Sequence, residues 1–137
     1  MDQGNTAFVL FSAAFVLLMT PGLAFFYGGL VKAKSVVSMM MLSFGSLGLV
    51  AVLWVLYGYA ITFADIDDAG WVGIPHIIGI DMNALGLTAQ VAEAAAPVGA
   101  FPELAFVSFQ ATFAIITVAL ISGAVADRAK FGAWMVF

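Results

Sequence analysis

TAFVLFSAAFVLLMTPGLAFFYGGLV, residues Thr6–Val31, carries no charged side chain. A helix of this length, rising about 1.5 Å per residue, reaches roughly 39 Å and exceeds the roughly 30 Å hydrocarbon core of a bilayer. The run predicts a transmembrane helix over residues 6–31. A second uncharged run predicts another over 35–64, and a third, over 102–126, has Glu103 at one end as its only charge. Residues 131–137 start apolar and stop after two turns, which reads as the start of a fourth span. The first run is not expected to be a cleaved leader. Asp2 rather than a basic cluster precedes it, Lys32 and Lys34 follow it, and it is much longer than a leader's apolar core.

Composition points the same way. The 137 residues are 64% hydrophobic and 9% charged, whereas a soluble domain carries roughly 25% charged residues. Mean hydropathy is +1.14. An all-α integral membrane protein is therefore expected, with lipid as its surroundings. The absence of cysteine excludes thiol chemistry and cysteine-based metal sites. A net charge of -4, with four basic residues, argues against a nucleic-acid partner. No cofactor, metal site or enzyme signature is expected.

All four basic residues fall in two short segments, Lys32 and Lys34 after the first run, Arg128 and Lys130 after the third. The positive-inside rule makes the loops 32–34 and 127–130 cytoplasmic and puts the N-terminus outside. Asp2, Asp65, Asp67, Asp68, Asp81, Glu93 and Glu103 then share the outer side, and only Asp127 lies inside. The outer loop, residues 65–101, is punctuated by Gly70, Gly73, Pro75, Gly79, Gly86, Pro97 and Gly99, which argues against a further span there. Trp71 suits a membrane interface. Asp65-Ile66-Asp67-Asp68 reads as a solvated acidic turn, and His76, the only histidine, as a surface residue.

Within the spans, Pro21 leaves the Leu17 carbonyl without its helical donor, so a kink is expected. Gly28 and Gly29, and then Gly45, Gly48 and Ala51, offer small faces for close helix approach. Trp54, Tyr57 and Tyr59 suit an aromatic belt at the outer end of the second span. Pro102 fits the first turn of the third helix. Glu103 suits that helix's positive end, and Arg128 with Lys130 its negative end. Phe106, Phe109 and Phe113 follow i, i+3, i+7 spacing and share a face with Gln110. Read alone, such a stripe is packing and such a glutamine is interhelical glue. Thr112, Thr117 and Ser122 can bond back to the helix.

Several strings, in order along the chain, resemble the ammonium transporter family (the Amt/MEP/Rh superfamily, bacterial Amt branch). Met19-Thr20-Pro21-Gly22-Leu23-Ala24-Phe25-Phe26-Tyr27-Gly28-Gly29-Leu30 is similar to its first span, and Val31-Lys32-Ala33-Lys34-Ser35-Val36 to its first cytoplasmic loop. Leu53-Trp54-Val55-Leu56-Tyr57-Gly58-Tyr59 resembles the end of its second span. Phe109-Gln110-Ala111-Thr112-Phe113-Ala114-Ile115-Ile116-Thr117 resembles its third, and Gly123-Ala124-Val125-Ala126-Asp127-Arg128 the turn that follows.

The resemblance implies an eleven-helix fold, two inverted five-helix halves plus a final helix, assembled as a homotrimer in the bacterial plasma membrane. Residues 1–137 would supply spans one to three and the start of four. It implies that Phe113 and Phe109 are the inner and outer of two stacked rings gating the pore's outer mouth, where ammonium is recruited. Leu23, Phe26, Tyr27, Ile116 and Leu120 would line the narrow apolar lumen below. The family's pore histidines, recruiting aspartate and PII-binding C-terminal tail match nothing in this sequence, so a piece of a longer protein is expected. The implied function is passage of ammonium or ammonia. The alternatives are an ammonium-sensing module joined to a signalling domain, and a helical scaffold without a pore.

Overall fold

The computed structural model describes residues 2–65, 70–74, 77–92 and 97–137. The acidic turn's Asp67 and Asp68, together with His76 and Glu93, lie outside the described residues. Three helices are long and apolar enough to cross a membrane: Gln3–Leu30, Ala33–Thr62 and Glu103–Val125. A helix satisfies its backbone donors and acceptors internally, which an apolar solvent demands.

Helix α1, Gln3–Leu30, starts on Asp2, whose side chain accepts from the Gly4 N–H at 2.9 Å. It continues through Pro21 without interruption. The Asp2 N–H also donates to the Ala100 carbonyl at 2.9 Å, tying the helix start to the segment that leads into the third span. Helix α2, Val36–Leu53, passes through a π-helical turn, Trp54–Gly58, into a last turn α3, Tyr59–Thr62. Helix α5, Glu103–Ser122, begins one residue beyond Pro102, which caps it in extended conformation, and runs on as a 3-10 turn, Gly123–Val125. Helix α6, Phe131–Val136, forms the short fourth stretch.

The loop between α3 and α5 contains structure that composition did not foresee. Strands β1, Trp71–Ile74, and β2, Ile78–Asp81, pair antiparallel with Trp71 opposite Asp81. A short helix α4, Thr88–Ala92, follows, and then β3, Pro97–Val98, pairs with β4, Phe101–Pro102. Gly73 stands opposite Gly79 in the first hairpin, and the Trp71 ring lies where a Gly79 side chain would be. Those glycines therefore read as conditions for a hairpin, not merely as loop punctuation.

Helices α1, α2 and α5 all touch one another. Their seam is made of small and hydroxylated residues: Thr20, Ala24, Ser43, Ala119 and Ser122 have no exposed surface. Lipid gives apolar side chains little reason to prefer protein to tails, so close contact at small residues does the packing. The Ser43 and Ser122 hydroxyls meet across α2 and α5 at 3.4 Å. The expected small face divides in two. A Cβ on Gly45 would come within 2.8 Å of the Phe131 ring, whereas one on Gly48 would meet nothing within 4 Å.

Two apolar clusters bracket the seam. At the end carrying the long loop, Trp54, Tyr59, Ala60 and Val107 pack with Ala84 and Leu87 of the loop. At the end carrying the basic residues, Met39, Leu42 and Trp134 pack with Tyr27, Val118 and Met135 at their edge. The expectation of an aromatic belt therefore needs correction for Trp54 and Tyr59. Both are buried under the loop, and only Tyr57 of the three is exposed. The π turn explains the change. Five residues of α-helix would place Tyr59 about 140° around from Trp54. In the π turn the Tyr59 N–H donates instead to the Trp54 carbonyl, five residues back, and the two rings share one side with centroids 6.1 Å apart.

Candidate functional site

Phe109 and Phe113 lie one turn apart on α5, with ring centroids 5.0 Å apart and planes inclined at 77°. The contact is edge-to-face, the arrangement that the aromatic quadrupole favours. Two hydroxyls bond to the carbonyls of these residues: Thr112 donates to Phe109 at 2.6 Å and Thr117 to Phe113 at 2.7 Å. The Phe stripe divides here. Phe106 turns to the loop-end cluster, where its ring meets Phe63 at 5.2 Å, and takes no part in the Phe109–Phe113 contact. The Gln110 side chain is half-buried and forms no hydrogen bond among the described residues, so it does not act as interhelical glue within them.

Two turns further along α5, the wall meets α1. The Tyr27 hydroxyl donates to the Leu120 carbonyl at 3.1 Å. Gly123 makes room for this contact, since a Cβ there would approach the Tyr27 ring to 2.6 Å. Phe26 lies against Tyr27 with centroids 5.8 Å apart. The seven residues implied by resemblance are therefore not equivalent. Phe26, Phe113 and Leu120 stand 62%, 42% and 50% exposed on the bundle's open surface. Leu23, Tyr27 and Phe109 are half-buried, and Ile116 is buried among the helices.

A second polar arrangement escaped sequence reasoning. At the loop end the Tyr59 hydroxyl donates to Glu103 Oε1 at 2.8 Å, and Gln90 Nε2 donates to the same oxygen at 3.2 Å. Residues 59, 90 and 103 belong to a helix end, a loop helix and a helix start, so their meeting depends on the path of the loop. The one available signal was Glu103 itself, a carboxylate at the mouth of an otherwise uncharged run.

A family model described as Ammonium Transporter Family matches residues 7–137. The chain belongs to that family. Family members are membrane transporters rather than enzymes. An ammonium transporter of Mycobacterium tuberculosis is 53% identical over 145 residues, covering 99% of this chain and 30% of that protein. One from Bacillus subtilis is 43% identical, covering 100% of this chain and 32% of its own length. The ammonium transporter Amt1 of Archaeoglobus fulgidus is 36% identical, with 98% and 30% covered. The chain thus spans about a third of the length of these relatives.

Proposed function

We propose that this ammonium transporter family chain forms one wall of a route for ammonium or ammonia across the membrane. Phe109 and Phe113 stand at its outer gate, and Leu23, Phe26, Tyr27, Ile116 and Leu120 lie along the apolar path below. The observation that carries the reading is the Tyr27–Leu120 hydrogen bond. It holds the aromatic face of α1 beside the Phe113–Leu120 face of α5, leaving Phe26, Phe113 and Leu120 uncovered for a pathway or its opposite wall.

Magnitudes shape the mechanism. A cation at mid-membrane costs roughly 2.5–3.5 kcal/mol on insertion scales. A desolvated cation–π contact returns about 2 kcal/mol. The Phe pair can therefore recruit ammonium at the mouth, but a path lined by leucine, isoleucine and phenylalanine cannot carry the charge. Deprotonation at the gate, with ammonia and the proton moving on separately, resolves the mismatch.

The same reading places the N-terminus outside and loops 32–34 and 127–130 in the cytoplasm of a bacterial cell. It extends to a homotrimer and to a PII-type regulator acting through a C-terminal region. The test is methylammonium uptake by the full reading frame that encodes these residues. Phe113→Ala is expected to raise the half-saturating concentration roughly thirtyfold, the scale of a lost cation–π contact of about 2 kcal/mol. Unchanged uptake at every substrate concentration would sink the gate. A sensing role would instead require a signalling domain in the same reading frame and no uptake.

A further inference from the structure

Gly123 ends helix α5 in ordinary right-handed geometry, with φ -63° and ψ -33°. Any L residue adopts that conformation, and glycine is a poorer helix former than alanine. Backbone freedom therefore does not account for a glycine there. Space does. A Cβ on Gly123 would lie 2.6, 2.8 and 2.9 Å from the Tyr27 Cζ, Cε2 and hydroxyl oxygen. Gly22, Gly29 and Gly48, by contrast, have nothing within 4 Å of such an atom. The Tyr27 ring thus rests against the bare backbone of α5. Its hydroxyl donates to the Leu120 carbonyl at 3.1 Å, and the same carbonyl accepts from the Gly123 N–H where the helix tightens into its 3-10 turn. Carbonyls at a helix end are open to side-chain donors of this kind.

The ring has one direction in which to yield. On its inner side Tyr27 packs against the basic-end cluster, whose Met39, Leu42 and Trp134 are 2%, 2% and 5% exposed. A close-packed interior does not admit a displaced ring. On its other side are Phe26, with centroids 5.8 Å away, and the uncovered surface that carries Leu120. That surface is the apolar path of the transport reading. A methyl at position 123 would strike the far end of the tyrosine side chain and not backbone. It would therefore displace the ring towards the path while α1 and α5 keep their packing.

We propose that Gly123 is a positioning residue that sets the clearance of the path, acting through Tyr27. With no side chain at 123, the Tyr27 ring draws back onto α5 and is tethered there by its hydroxyl, which leaves room beside Leu120 and Phe26. Size is then discriminated near the basic end. Charge is recruited elsewhere, at the Phe109–Phe113 pair, since Phe113 and Gly123 are ten residues and about 15 Å apart along the helix. The proposal rests on the transport reading and adds to it the place where an extra methyl group on the substrate is felt.

The test uses the full reading frame containing these residues, reconstituted in proteoliposomes, with uptake of ammonium and of methylammonium measured side by side. Gly123→Ala is expected to lower the maximal rate for methylammonium relative to that for ammonium roughly tenfold, the lower end of what one methyl group is worth in an apolar pocket. Both half-saturating concentrations should stay as in wild type, because the Phe pair is untouched. Tyr27→Leu takes away the ring that the new methyl strikes. The double variant, Tyr27→Leu with Gly123→Ala, should therefore show the same ratio of the two rates as Tyr27→Leu alone. A general loss of packing would lower both maximal rates by one factor, and that result overturns the proposal. So does a double variant in which Gly123→Ala still changes the ratio. If Gly123→Ala does not assemble, Tyr27→Phe carries the test. It keeps the ring but frees it from Leu120, and it should shift the ratio the same way by a smaller factor; an unchanged ratio overturns the proposal. Wild type that takes up neither ion refutes the transport reading itself, and this proposal with it. Wild-type uptake with the ratio unchanged in the variants refutes the role of Gly123 alone.

Discussion

The two ends of the bundle handle buried polarity in opposite ways. At the basic end, the Trp134 indole N–H lies between two acceptors, the Leu42 carbonyl at 3.1 Å and the Ser46 hydroxyl at 2.9 Å. The Ser46 hydroxyl in turn donates to the Leu42 carbonyl at 2.8 Å, which closes the group. At the loop end, Gln90 Oε1 and the Trp54 indole nitrogen are buried without partners. The first arrangement is complete, and the second leaves capacity unused. Complete satisfaction is what a packing joint requires, because an unpaired group in an apolar interior is destabilising. The contrast sets a fully paired joint at the basic end against an incompletely paired one at the loop end, and it can be broken from either side.

The largest effect should come from Trp134→Ala. Trp134 is 5% exposed and is the anchor by which α6 reaches α2. Removing the indole empties the middle of the basic-end cluster and deprives Ser46 of its donor. A loss of about 3 kcal/mol in unfolding free energy is expected, in the range for large aromatic truncations. Denaturation by a harsh detergent titrated into a mild one measures it. Trp134→Phe keeps most of the volume and should lose only about 1 kcal/mol, the net worth of the hydrogen bonding. Equal losses for the two variants would mean that the polar closure, not packing, holds this end together.

Next in size is the difference between two glycines three residues apart. Gly45→Ala drives a methyl into the Phe131 ring at 2.8 Å and the Met135 sulfur at 2.9 Å. Met135 can yield, but the ring is held by α6, so a loss of about 1–2 kcal/mol is expected. Gly48→Ala enters open space and should be neutral or slightly stabilising in the same unfolding measurement, since alanine is the better helix former by about 1 kcal/mol. If both are neutral, α6 does not press on α2 as described, and the basic end is looser than its hydrogen bonds imply.

How much of this could be read from the sequence differs between the ends for a physical reason. The three long helices follow from uninterrupted apolar runs, a local property that needs no partner. The Phe109–Phe113 contact is also legible, because i, i+4 spacing on one helix puts the rings within reach. Contacts between distant segments are not. Tyr59, Gln90 and Glu103 meet only because the loop folds over the end of α3, and nothing in their spacing encodes that path. The π turn is hidden for a related reason. Trp54-Val55-Leu56-Tyr57-Gly58 continues the apolar pattern, and the extra residue in the turn is selected by the loop cluster that the rotated rings pack against. Small-residue spacing marked Gly45 and Gly48 alike, since spacing cannot distinguish a face that meets a neighbour from one that meets none. It passed over Ser43 and Ser122, which are fully buried in the seam.

The smallest effect separates hydrogen bonding from packing at the loop end. Tyr59→Phe removes one hydroxyl and keeps the ring, which lies 5.1 Å from Phe63 and 6.1 Å from Trp54 by centroid. Glu103 then retains the Gln90 amide as a donor. The carboxylate borders an open cleft, so water can replace the lost hydroxyl. The net loss in unfolding free energy should be about 1 kcal/mol or less. Trp134→Phe likewise removes a donor and keeps most of the ring, but at a buried residue. If Tyr59→Phe proves the more damaging of the two, the loop end is the more rigid joint and the contrast reverses. If it is the milder, the hydroxyl mainly orients Glu103, which the Gln90 amide goes on holding.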